Sequence, residues 1–155
     1  MDSDLTESAF TADQNSLAVV VKLLRPHQWV KNLLVFLAPI LGQKIGDSEI
    51  ALTGVWAFLS LSFVASAVYV LNDRMDLQAD RLHPTKCRRP FASGAVSPGL
   101  APVIMMAMLA AGFGIAYFLV GDLSYCYALA SYFAVTTLYT FWFKRIVTVS
   151  YTHLT

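Results

Sequence analysis

From Ile50 to Leu71 the chain carries no charge, and it then meets Asn72-Asp73-Arg74-Met75-Asp76-Leu77-Gln78-Ala79-Asp80. That run restricts the fold more than any other feature. An apolar helix of about twenty residues is what a bilayer requires. In lipid, backbone polar groups must be satisfied within the segment, so the run folds as a helix. The expected class is all-α, a polytopic membrane helical bundle.

Three further runs read the same way. The first covers about His27 to Ile45, with an apolar body from Leu33 to Leu41 and Pro39 placed to kink it. The third covers about Leu100 to Val120, with Ser97 as N-cap and Pro98 at the first helical position. The fourth covers about Leu123 to Phe143. Tight turns are expected at Gly46 to Glu49 and at Gly121 to Asp122. The connection from Asp73 to Gly99 is long, polar and rich in Pro, Arg and Lys. Composition agrees: 57% of residues are hydrophobic and mean hydropathy is +0.58, above an ordinary soluble domain.

Other classes are set aside quickly. Net charge is only +1, which gives no reason to expect nucleic acid as a partner. Cys87 lies in the polar loop and Cys126 in an apolar run, so no disulfide is expected between them. Met1 to Gln14 is acidic and polar, the wrong sign for a signal peptide. Residues 1–16 read as a disordered cytosolic tail. Lys22, Arg25 and Lys31, then Arg74, Arg81, Lys86, Arg88 and Arg89, then Lys144 and Arg145 all fall on one side if the spans alternate. Only Lys44 falls on the other. The positive-inside rule then makes the amino terminus and the aspartate-rich loop cytoplasmic.

On a continuous helix Asn72, Asp73, Asp76 and Asp80 share an arc of roughly 100° and are stacked over about 12 Å. Three carboxylates on one face repel each other. Near a helix C-terminus they also oppose the macrodipole. A hard cation relieves both costs, and magnesium shares its shell with water and substrate phosphate. Pro84 should end the helix, so that Lys86, Arg88 and Arg89 return beside the acids. Acids for metal next to bases for phosphate suit a metal–diphosphate site. Arg25-Pro26-His27-Gln28-Trp29-Val30-Lys31-Asn32 enters the membrane from the same side, with Lys31 and Asn32 just inside.

Blander readings cover much of the rest. Lys22, Lys144 and Arg145 serve equally well as positive-inside anchors, and Trp29 as an interfacial belt residue. His27 and His83 have no partner at metal-ligand spacing and read as structural or phosphate contacts. The aromatics of the fourth run read as packing, with Tyr139 kept as a pocket residue.

Asn72-Asp73-x-x-Asp76-x-x-x-Asp80 after a hydrophobic helix resembles the first aspartate-rich motif of the UbiA superfamily of intramembrane prenyltransferases. Arg25 to Asn32, His83-Pro84-Thr85-Lys86 and Arg89-Pro90-x-Ala92-Ser93-Gly94 are similar to its decaprenyl-phosphate phosphoribosyltransferase branch. The resemblance covers about Leu17 to Ile146. It implies a bacterial inner-membrane enzyme with an all-helical fold of about nine membrane helices, of which residues 17–146 form the N-terminal part. The implied reaction moves 5-phosphoribose from 5-phosphoribosyl 1-diphosphate to a polyprenyl (decaprenyl) phosphate. Diphosphate leaves, and the product feeds cell-wall polysaccharide.

Carried over residue by residue, the resemblance makes Asp73, Asp76 and Asp80 the magnesium face, with Asn72 assisting. Lys86, Arg88 and Arg89 would hold diphosphate or the ribose 5-phosphate, and Arg25, Lys31 and Asn32 would complete the polar wall. Two alternatives stand beside it. One is a UbiA-type enzyme moving a prenyl group from its diphosphate to an aromatic acceptor. The other is a non-catalytic transporter or anchor, which needs no metal face. The superfamily's second aspartate-rich motif is absent. Val149 to Thr155 can also be written as GTC TCT TAT ACA CAT CTG ACG, a transposase adaptor of sequencing libraries. The expectation is a truncated gene whose residues 147–155 are an artefactual tail, and a chain inactive alone.

Overall fold

The computed structural model describes residues 18–143. The expected tails at 1–16 and 147–155, with Lys144 and Arg145, lie outside the described residues. Within them every regular element is a helix, with no strand. Helix α1 covers 18–24, and Arg25 breaks it with a left-handed backbone. A 3-10 segment, Pro26–Phe36, leads into the short α2, Leu37–Leu41. Then come α3, Ser48–Met75, and α4, Leu77–Leu82. After the basic loop follow α5, Ala101–Ile115, and α6, Leu123–Leu138. One π-helical turn extends each of the last two, Ala116–Val120 and Tyr139–Phe143.

Two of the four expected spans are long and apolar enough to cross a bilayer: Ser48–Met75 and Pro98–Val120. The second span begins at Ser48, where Asp47 accepts from the N–H groups of Glu49 and Ile50 at 2.9 and 3.3 Å. Gly121, at φ 70°, makes the expected tight turn, and Asp122 caps α6 by accepting from Ser124 N at 2.7 Å. Pro98 opens its span as expected, but Ser97 makes no side-chain cap.

The first span departs most from expectation, being mainly a 3-10 helix. Its partners on α3 explain the choice. Trp29 Nε1 donates to Ser66 Oγ at 3.1 Å, and Asn32 Nδ2 to Ser62 Oγ at 3.0 Å. Three residues of 3-10 helix rise about 6 Å, as do four residues of α-helix. The tighter helix therefore keeps its polar groups in step with the serines, antiparallel to α3. Trp29, which also donates to the Leu24 carbonyl at 3.1 Å, is a tie between elements rather than a belt residue.

Helix α3 is the centre of the structure and packs most extensively on α5. Small residues bring the two together, as expected where apolar solvent gives helices little reason to associate. Ser60 Oγ donates to the Gly112 carbonyl at 2.8 Å. A Cβ on Gly112 would stand 2.7 Å from Val64 Cγ2 and 3.0 Å from the Ser60 carbonyl. Backbone cannot yield as a side chain can, so Gly112→Val should cost about 1–3 kcal/mol. A thermal melt in detergent equal to that of the native protein would contradict this contact.

A core of Leu23, Ala67, Val70, Leu77, Phe91, Ala101 and Met108 lies towards the carboxyl end of α3. Phe91 comes from the basic loop and is fully buried, which contributes roughly 1.5–3 kcal/mol. It pins the loop against the end of α3. Leu34, Leu41, Phe118 and Trp142 are largely exposed, a surface suited to lipid and poorly suited to water.

Candidate active site

The polar residues converge where α3 ends. Asn72 and Asp73 sit in its last turn, Asp76 between the helices and Asp80 on α4. Asp76, at φ −86° and ψ 3°, interrupts the helix for one residue. The ladder runs through the break: Asp76 N donates to Asn72 O at 2.9 Å, and Asp80 N to Asp76 O at 2.8 Å. His83 closes α4 in an extended conformation and Pro84 follows, as expected. His83 Nδ1 accepts from the N–H groups of Thr85 and Lys86 at 3.3 and 3.4 Å, so this histidine shapes the turn.

Arg89 does return from the loop to the acids and binds them directly, and Arg25 binds them from the break after α1. Arg25 Nη2 donates to both oxygens of Asp73, at 2.7 and 2.8 Å. Its guanidinium lies 5.3 Å from the centre of the Tyr69 ring, a cation–π distance. Arg89 Nη1 lies 2.7 Å from Asp80 Oδ2 and 3.1 Å from Asp73 Oδ1. Asp73 and Asp80 are buried, and buried carboxylates require partners of this kind.

This differs from an open face of three carboxylates. Asp80 faces Arg89, and among the described residues no three His, Cys, Asp or Glu side chains are grouped to hold a metal. What opens to solvent is a cavity of about 310 Å³ lined by Arg25, Asn72, Asp73, Asp76, Lys86, Arg89, Tyr139 and Thr140. Its donors are two carboxylates and an amide, all hard oxygens. Magnesium is usually held by one or two carboxylates and completes its shell with water and substrate phosphate. The donor set fits such an ion arriving with a phosphate.

Of the remaining expected site residues, Lys86 lines this cavity, while Arg88 is exposed and lines a neighbouring recess. Lys31 and Asn32 line neither recess. Lys31 is exposed. Asn32 is bonded to Ser62, ten residues or about 15 Å of helix before Asn72. Tyr139 joins the cavity wall.

Thr140 was not foreseen, and it is buried there. Its Oγ1 lies 2.7 Å from Asn72 Oδ1 and 2.9 Å from the Thr136 carbonyl. One hydroxyl proton cannot serve two acceptors. With the Asn72 amide turned about, its nitrogen donates to Thr140 and both contacts are satisfied. A signal was present in the sequence: Thr136 and Thr140 are four apart in an apolar run, where polar side chains require a reason.

An apolar groove of about 340 Å³ opens beside this cavity, between Ala65, Val68 and Tyr69 of α3 and Tyr132 and Val135 of α6. The two recesses share Asn72, Tyr139 and Thr140.

Known proteins share much of this sequence. A decaprenyl-phosphate phosphoribosyltransferase of Mycobacterium tuberculosis is 38% identical over 135 residues, 84% of this chain and 44% of that protein. One from Corynebacterium glutamicum is 35% identical over 129 residues, 82% of this chain and 39% of its own length. A digeranylgeranylglyceryl phosphate synthase of Hyperthermus butylicus is 38% identical over 88 residues, 53% of this chain and 27% of that protein. The chain thus spans less than half the length of each of these relatives. The model of the UbiA prenyltransferase family matches residues 33–151. With that match over most of its length, and with two helices long and apolar enough to cross a membrane, the chain belongs to the UbiA prenyltransferase family.

Proposed function

We propose that the whole protein moves 5-phosphoribose from 5-phosphoribosyl 1-diphosphate to a polyprenyl phosphate, decaprenyl phosphate being the first acceptor to try. One observation carries this reading. A single cavity sets Asn72, Asp73 and Asp76 against Arg25, Lys86 and Arg89, beside an apolar groove. That arrangement suits a diphosphate leaving group next to a lipid tail. The names of the phosphoribosyltransferase relatives support the choice of substrates.

In this mechanism Arg25, Lys86 and Arg89 take the charge that develops on the departing diphosphate. The arginines exchange carboxylate for phosphate, which matches their planar donors equally well. Asp73 and Asp76, with Asn72, would hold magnesium, which supplies Lewis-acid stabilisation of the leaving group when bound. The C1–diphosphate bond breaks with its electron pair going to diphosphate, and the lipid phosphate oxygen bonds to C1. The nucleophile is already an anion, so no strong base is required. The basic residues around the site favour a cytoplasmic orientation for this face by the positive-inside rule; in this reading the membrane is a bacterial inner membrane and the product would enter cell-wall synthesis.

The test uses membranes containing the whole protein, magnesium, labelled 5-phosphoribosyl 1-diphosphate and decaprenyl phosphate. Label should enter the lipid phase and be lost with a chelator. A folded protein that puts no label into lipid overturns the reading. Transfer from a prenyl diphosphate to an aromatic acceptor, which the same groove would also serve, becomes the next assay.

A further inference from the structure

The π-helical turn Tyr139–Phe143 carries α6 to the wall of the site and places Thr140 there. Single turns of this kind occur often at functional sites. Thr140 is 4% exposed, and its hydroxyl is committed to Asn72 and to the Thr136 carbonyl. It is therefore no ligand in its own right, and its effect on the site has to pass through Asn72.

An amide has two ends of opposite sense, an oxygen that accepts and a nitrogen that donates. Whichever end meets Thr140 decides which end is left for the cavity. Hydroxyls on α6 give their proton to the carbonyl one turn back, Ser131 to Tyr127 at 2.8 Å and Thr136 to Tyr132 at 2.7 Å. Thr140 does the same to Thr136 at 2.9 Å, which leaves its oxygen able to accept and with nothing to donate. Asn72 then has to meet it with nitrogen. Among the described residues the other end of the amide makes no bond, and it is not one of the buried atoms that lack a partner. Asn72 lines the cavity with Asp73 and Asp76, and there its oxygen joins their carboxylates. In the opposite sense an NH2 group would face an arriving cation, in a wall that already holds Arg25, Lys86 and Arg89.

We infer that Thr140 is a positioning residue: its hydroxyl fixes the sense of the Asn72 amide, so that Oδ1 completes the hard-oxygen set for a divalent cation arriving with diphosphate. The inference rests on the metal–diphosphate reading proposed above and applies whichever group is transferred. Asn72 and Asp73 come from α3, and Thr140 from the extension of α6. The docking of α6 on α3 thus sets the orientation of a ligand as well as the packing of two helices.

The experiment measures binding rather than turnover. The whole protein is placed in nanodiscs of phosphatidylcholine with diphosphate. Manganese, a paramagnetic stand-in for magnesium, is titrated in and read by electron paramagnetic resonance. Thr140→Val keeps the shape of the side chain and removes the hydroxyl, so the amide is free to turn. Manganese affinity should fall by about 10- to 100-fold, the usual loss when the partner behind a metal ligand is removed. Thr140→Ser keeps the hydroxyl and should recover most of it. The discriminating background is Asn72→Asp, because a carboxylate offers oxygen at both ends and has no sense to set. Asn72→Asp alone should bind manganese at least as tightly as the native protein. Adding Thr140→Val to it should change the affinity by less than about twofold, a coupling that a double-mutant cycle reads directly.

Equal loss in both backgrounds overturns the inference, because Thr140 would then act through helix packing alone. Native affinity in Thr140→Val overturns it too, as does a Thr140→Ser variant that binds as weakly as Thr140→Val. Loss of manganese from Asn72→Asp alone would mean that residue 72 presents no oxygen to the ion, with the same result. If Thr140→Val does not fold, Thr140→Cys takes its place with the same expectations, since a thiol is only a weak acceptor. The two readings fail differently. Manganese held equally by the native protein and by Thr140→Val removes only the role of Thr140. A native protein that holds no manganese with diphosphate removes the metal–diphosphate reading, and this inference with it.

Discussion

Asp76→Asn in the whole protein should lower turnover by about a thousandfold and remove its response to added magnesium. The substitution keeps the size of the side chain and its capacity for hydrogen bonds, and it deletes the charge. Asp76 lines the cavity and is half-buried, so its carboxylate is within reach of an ion and of solvent. Asp73 offers a less clean test. It is 4% exposed and bound by both Arg25 and Arg89, so its loss disturbs packing as well as chemistry. The measurement is the rate of lipid labelling against magnesium concentration, with a thermal melt as control for folding. Near-normal turnover at every magnesium concentration would remove Asp76 from the metal site. The transporter or anchor alternative would also be indifferent to this change.

The largest effect on stability is expected at Arg89. Its Nη1 alone serves Asp73 and Asp80, which are 4% and 2% exposed. Arg89→Ala would leave Asp80 without this cation and bring two buried negative charges into mutual repulsion. Removing one member of a buried ion pair costs about 3–5 kcal/mol, because the other charge stays in a poor solvent. For a chain of this size that is a fall of about 10 °C or more in melting temperature. Arg89→Lys should recover much of it, since one nitrogen makes both contacts and an ammonium has three donors. Asp80→Asn on the Arg89→Ala background should recover part of it by deleting the stranded charge, a coupling that a double-mutant cycle reads directly. Arg89→Ala melting at the native temperature would contradict the bridging role.

Several of these features were legible in the sequence for identifiable reasons. The second span announced itself by length and lack of charge. Gly121 with Asp122, and Pro84 after the aspartates, marked turns by backbone chemistry that depends on nothing distant. The return of Arg89 to the acids followed from Pro84 ending the helix and from opposite charge. The 3-10 helix was not legible, because its cause lies in spacing against Ser62 and Ser66, thirty or more residues away. Asn32 looked like a site residue because it is polar and near the membrane edge, yet its amide joins two helices. Periodicity placed Asp80 on the face of Asp73 and Asp76, but it cannot show that an arginine from a loop pairs with both Asp80 and Asp73. Phe91, buried under that loop, resembled any other apolar residue in a polar stretch.

Arg25 has φ 52° and ψ 57°, a left-handed backbone that costs a side-chain-bearing residue roughly 1–2 kcal/mol. Glycine would sit there without strain. A stability-minded engineer inspecting only torsion angles would choose it, and would thereby discard the guanidinium that grips Asp73 and lies against Tyr69. Those two contacts hold residue 25 in a shape its own backbone disfavours. The bend between α1 and the 3-10 segment is therefore a sprung joint, latched by charge. In the proposed reaction a phosphate that drew Arg25 off Asp73 would release one latch of that bend, while the contacts of Trp29 and Ser66 to the Leu24 carbonyl would still hold it.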